Sequence, residues 1–135
     1  MIHAEISHLE NSFRRHNQNG LPTAESRKLL LFYAVECGLK ALVLRGRKGR
    51  STEDFKAGEL RTSGHDLQHW AKELKMPATH FGRWTTFGIQ GKVERLPASR
   101  AHEAWRYGID IQLEDDEALE ACLQDLWQWA AEEIT

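Results

Sequence analysis

Apolar positions along the chain recur mostly at helical intervals. Ile2, Ile6, Leu9 and Phe13 are spaced four, three and four apart, which predicts an amphipathic helix. Asn19-Gly20 and Pro22 end it, because Gly suits a C-cap and Pro cannot continue the hydrogen-bond ladder. Thr23 can cap a second helix, with Glu25 in its positive first turn. From Leu29 to Leu44 the chain reads LLLFYAVECGLKALVL, apolar on nearly every face. Such a helix belongs at the centre, surrounded by others. Gly38 costs it about 1 kcal/mol relative to Ala. The expected return is the close approach of a neighbouring helix. Arg45, Arg47 and Lys48 suit the negative helix end, and Gly46 and Gly49 close the element.

The stretch from Arg47 to Gly64 is glycine-rich and charged and reads as a loop, with room for one short turn of helix. Leu67, Trp70, Ala71 and Leu74 then predict a helix, capped by Asp66 or Ser63 and stopped at Met76-Pro77. Phe81, Trp84 and Thr85 suggest a short helix, and Phe87–Gly91 a glycine-broken loop. Pro97 suits the first turn of a helix carrying Ala101, Ala104 and Trp105, which Gly108 ends. Asp115 or Asp116 starts the last helix. Its expected buried stripe is Leu119, Cys122, Leu123, Leu126, Trp127, Ala130 and Ile134, with Trp129 off it. The alternation of Gly108–Leu113 is isolated, and a lone strand has nothing to pair with. The expected class is all-α: a bundle of four to five helices forming one domain over residues 1–135.

Composition changes this picture little. The chain is 41% hydrophobic and 28% charged with a net charge of −2, so no global field draws it to nucleic acid or membrane. Any nucleic-acid contact must come from a local patch. Cys37 and Cys122 both fall on apolar helix faces and are expected as buried, reduced thiols. The N-terminal stretch MIHAEISHLENSF has no apolar signal core, and Leu29–Val35 is too short to span a bilayer. A cytoplasmic protein without a membrane partner is expected.

Few residues carry recognisable chemistry. Arg45, Arg47, Lys48 and Arg50 place four positive charges within six residues. They form either a phosphate-contacting RNA patch or a solvated helix end. The segment lacks the GxxxxGK[ST] order of a phosphate loop. His65 and His69 stand at i and i+4, a spacing that can seat a metal, but no third ligand is apparent. No metal or other cofactor is expected. Glu36 and Lys40 form a favourable i, i+4 pair. It is either a pair snorkelling at a helix edge or a carboxylate held in a cleft beside a cation. Arg95 and His102 have six residues between them, and Arg106 and Tyr107 follow. Arg can bind phosphate bidentately and His can transfer protons near neutral pH, which together could cleave RNA through its own 2′-OH.

The segment Phe32–Leu44, the glycine-rich loop, His65-Asp66-Leu67 and Trp105-Arg106-Tyr107-Gly108 follow an order that resembles HEPN domains. The resemblance covers residues 24–134. It implies a helical bundle that homodimerises. Many HEPN proteins are metal-independent RNases of toxin–antitoxin, CRISPR and other defence systems. Others are non-catalytic partners of nucleotidyltransferases, or scaffolds. Catalytic HEPN domains carry an R-x(4–6)-H motif, whose spacing Arg95 and His102 meet, with Arg106 as an additional candidate. Three readings stay open: a non-catalytic or regulatory module associated with RNA or a defence complex, an endoribonuclease with its site at a dimer interface, and a plain helical interaction subunit.

Overall fold

The computed structural model describes residues 24–49, 55, 56, 58–60 and 64–134. The helix expected over Ile2–Phe13 and the cation Arg50 lie outside the described residues. Four α-helices are described: α1 (Ala24–Gly46), α2 (Leu67–Glu73), α3 (Ala101–Tyr107) and α4 (Leu113–Ile134). Two 3-10 turns, Ala78–Phe81 and Ala98–Arg100, and two short strands, β1 (Thr86–Gly88) and β2 (Arg95–Pro97), lie between α2 and α3.

α1 is the central element, as its apolar faces require. It packs most extensively on α4 and also against α3 and α2. Phe32, Val35 and Leu39 are fully buried there, opposite Leu123 and Leu126 of α4 and the large rings Trp70, Trp84 and Trp105. Asp116 in the first turn of α4 ties three helices together. It accepts from Trp105 Nε1 at 2.8 Å and pairs with Lys28 of α1.

Gly38 supports the close contact expected of it. A Cβ built there would lie 3.3 Å from Ala130 Cβ and 3.8 Å from Ile134 Cδ1 of α4. Replacing Gly38 with valine is therefore expected to push the two helices apart and cost about 1–3 kcal/mol, despite the gain in helix propensity. A urea unfolding curve with an unchanged midpoint would disprove that contact.

The largely helical class holds, with one departure. β1 pairs antiparallel with β2 in the register Phe87↔Leu96, and Ile89 forms a bridge with Ile111. The alternating Gly108–Leu113 stretch thus finds a partner in the segment read as loop. Gly88 and Gly91 hide that strand from a periodicity argument. Pro97 closes β2 and precedes a 3-10 turn, rather than opening the helix. This suits its missing N–H, which removes nothing from an edge position. Gly108 ends α3 in the left-handed region at φ 68°, as its sequence position predicts.

Three burial expectations are corrected. Cys37 is exposed, because it lies on the face of α1 turned away from α2, α3 and α4. On α4, Leu119, Cys122, Leu123, Leu126 and Ala130 are buried, but Trp127 is 51% exposed. Trp129 is the tryptophan that packs partly against the core. Ile134 is likewise 43% exposed at the helix end. No described helix is long and apolar enough to cross a membrane.

Candidate functional site

The chemistry-bearing residues gather along one side of α1. Phe32, Glu36 and Lys40 stand one turn apart and therefore share a face. Glu36 is buried. Its Oε1 lies 2.5 Å from His65 Nδ1, and its Oε2 lies 3.4 Å from Lys40 Nζ. Of the two readings of the Glu36–Lys40 pair, the geometry matches the carboxylate held inside, because His65 and Lys40 engage one oxygen each. The hydrogen bond assigns the His65 proton to Nδ1 and leaves Nε2 as the other ring nitrogen of a side chain that is 55% exposed.

α3 brings His102 to the same place. Its ring stacks on Phe32 at 4.9 Å and stands 4.4 Å from the ring of His65. Trp84 covers the other part of Phe32 at 6.1 Å. His102 is 5% exposed, and burial pushes its pKa down to about 4, with the neighbouring His65 adding to the effect. Its Nδ1 is buried without a hydrogen-bond partner of ordinary geometry, although the Ser99 backbone lies near enough to act on the ring. His102 is thus a neutral core imidazole at neutral pH, while His65 is the accessible one.

The structure does not bring Arg95 to His102. Arg95 on β2 donates to Thr86 Oγ1 at 3.0 Å and Thr86 O at 3.2 Å, and stands 3.2 Å from Asp115 Oδ2 of α4. The Asp115 carboxyl is held below its ordinary range by the Gly88 N–H first and by Arg95 second. Arg106 is exposed, lies 5.7 Å from the Tyr107 ring, and is one of the charges that act on His102.

The basic segment after α1 is divided between two roles. Arg45 and Lys48 are exposed, and Lys48 adopts a left-handed φ of 60°. Arg47 is taken up by an ion-pair network instead of the expected patch. It donates to Glu59 Oε1 at 2.8 Å and to Glu73 Oε2 at 3.0 Å. His69 Nε2 lies 2.7 Å from the other Glu59 oxygen. These bonds, that of Arg47 above all, hold the Glu59 carboxyl down to about 2.

His65 and His69 do not share a helix face as their spacing suggested. Asp66 is the N-cap of α2, accepting from the Gln68 and His69 backbone N–H groups, so His65 lies before the helix. Each histidine takes its own glutamate. His69, Glu59 and Glu73 do place potential ligand atoms within 4.8 Å of one another, a grouping the sequence spacing missed. The Arg47 guanidinium already hydrogen-bonds both glutamates and offsets part of their charge from within the chain.

Among the described residues, a shallow groove of about 280 Å³ lies apart from this cluster, between His80 and Asp125, Gln128, Trp129 and Glu132 of α4. None of the residues expected to act on RNA lines it. No protein family matches the chain, and neither does any curated protein or solved structure.

Proposed function

We propose that the chain is a HEPN-like, non-catalytic or regulatory module associated with RNA or with a prokaryotic defence or toxin–antitoxin system, and that it acts as a homodimer. One observation carries the reading. The sequence pieces that resemble HEPN domains are far apart in the chain, yet they meet in space. Glu36 and Lys40 of α1, His65 before α2, and His102 on α3, the helix that also carries Trp105 and Arg106, form one cluster.

The non-catalytic half of the reading follows from the Arg95–His102 pair. An R-x6-H nuclease needs an arginine free to hold phosphate and a histidine able to exchange protons near neutral pH. Arg95 is committed to Thr86 and Asp115, and His102 is buried and uncharged. The exposed cations at the end of α1, Arg45 and Lys48, are the proposed RNA contacts.

Incubation of the protein with total RNA in EDTA tests both halves. Wild type is expected to retain RNA without cleaving it, and retention should fall steeply with salt. Reversing Arg45 and Lys48 to glutamate should weaken retention and reduce the slope of log affinity against log salt by roughly two. EDTA-resistant cleavage lost in both Arg95→Ala and His102→Ala would install the endoribonuclease reading instead. No retention at any salt removes the RNA role, leaving an interaction subunit whose partner is a protein such as a nucleotidyltransferase. Light scattering reads the dimer directly.

A further inference from the structure

Negative charge is left over where the end of α1 meets α2. Glu59, from the connection between the two helices, and Glu73, at the end of α2, share one Arg47 guanidinium at 2.8 and 3.0 Å. His69 adds an imidazole, with Nε2 2.7 Å from Glu59 Oε2. Two carboxylates and a ring nitrogen thus surround a single fixed positive charge. Glu59 is buried, so solvent and salt screen its charge poorly.

The same side chains have a chelating arrangement. His69 and Glu73 stand at i and i+4 and rise from one face of α2. Glu59 meets them from a different segment. One ligand atom of each lies within 4.8 Å of the other two, a grouping found once among the described residues. An ion bonded at about 2.0–2.2 Å holds tetrahedral ligands roughly 3.4 Å apart, which modest side-chain rotations reach from here. His69 and Glu73 are partly exposed, which gives the ion a path and water a position.

An imidazole nitrogen among the ligands favours zinc over magnesium and calcium, which take oxygen. We propose that Glu59, His69 and Glu73 bind one zinc ion, which replaces the Arg47 guanidinium between the carboxylates and takes water as its fourth ligand. The exchange substitutes two positive charges for one and so matches the two carboxylates. Arg47 is itself partly exposed, and its long stem lets the guanidinium turn out to solvent. Bound zinc fastens the segment carrying Glu59 to α2. This holds whether or not the chain binds RNA.

Zinc titration of the EDTA-stripped, dialysed full chain against a chromophoric chelator tests the site. The wild type should take up one equivalent. Glu73→Gln and His69→Gln should each weaken uptake at least about tenfold, since even a group that only orients a metal ligand is worth roughly 10–100-fold. Glu73 lies at the surface, so its variant keeps the core intact and decides the matter if His69→Gln fails to fold. His80→Gln, which changes a histidine outside the cluster, should bind like the wild type. Arg47→Ala removes the internal competitor and should bind about tenfold tighter. Zinc should also raise its urea midpoint more than that of the wild type, because a ligand stabilises the state it binds. No uptake by the wild type overturns the proposal, whatever Arg47→Ala does. Uptake by Glu73→Gln equal to that of His80→Gln overturns it as well, by placing the metal elsewhere. Binding by Arg47→Ala no tighter than by the wild type overturns the exchange with the guanidinium.

Discussion

Between pH 6.5 and pH 4 the folded state is expected to lose about 3 kcal/mol through His102 alone, the equivalent of two to three pK units of displacement. An exposed imidazole in the unfolded chain takes up its proton near the ordinary value of 6.5. The folded imidazole, enclosed by Phe32 and beside His65, takes it up only near 4. Across that window the unfolded chain binds more protons, so stability rises with pH and is complete above 6.5. Below 4 both states are protonated and this loss is complete. His102→Phe retains an aromatic ring against Phe32 and removes the titrating group. Its urea midpoint should therefore vary much less over the window. Equal pH slopes in wild type and variant would show that His102 is solvated, or protonated, in the folded protein.

Replacing Arg47 with alanine should cost about 3 kcal/mol, the range found when one partner of a covered ion pair is removed. Glu59 is 7% exposed and would keep His69 and the Lys56 backbone N–H while losing both guanidinium bonds. Glu73 would then stand near it as an uncompensated like charge. Adding Glu59→Gln to Arg47→Ala should recover part of the loss, because the charge left unpaired is removed. A double-mutant cycle measured by urea unfolding gives the coupling. A single-variant cost below about 0.5 kcal/mol would place this network among exposed surface pairs, which contribute little.

These two groups also show where sequence reasoning reached and where it stopped. The central helix was legible because sixteen apolar-rich positions leave no polar face to solvate, and Gly38 correctly signalled a neighbour at close range. The Glu36–Lys40 pair was legible because i, i+4 geometry is local. Its third member was not, because His65 lies 29 residues away and only the fold brings it back. Asp66 was a named cap candidate for α2, and a cap at that position already places His65 outside the helix. The i, i+4 argument for His65 and His69 failed on that point alone.

The Arg95–His102 spacing meets a similar limit. Counting residues between two side chains locates them only along a continuous helix. Here β2 and a 3-10 turn intervene, so Arg95 points to the strand ladder and α4 while His102 enters the core. The cationic patch was read from composition, which cannot foresee that Arg47 is claimed by Glu59 and Glu73. Cys37 and Trp127 were misplaced because helical periodicity fixes which residues share a face, while the boundary of the buried arc depends on how many helices surround it.

The small strand ladder has a consequence for how the corner between α3 and α4 opens. Gln112 N donates to Gly88 O, Gln90 N donates to Asp110 O, and Gly88 N donates to Asp115, while Ile89 bridges to Ile111. The linker joining the two helices is therefore stitched to residues 88–90 rather than free to hinge. Local opening there must break these bonds together, so the amides of Gly88, Gln90 and Gln112 belong to one cooperative exchange unit. The corner that delivers His102 and Trp105 to α1 behaves as a rigid bracket.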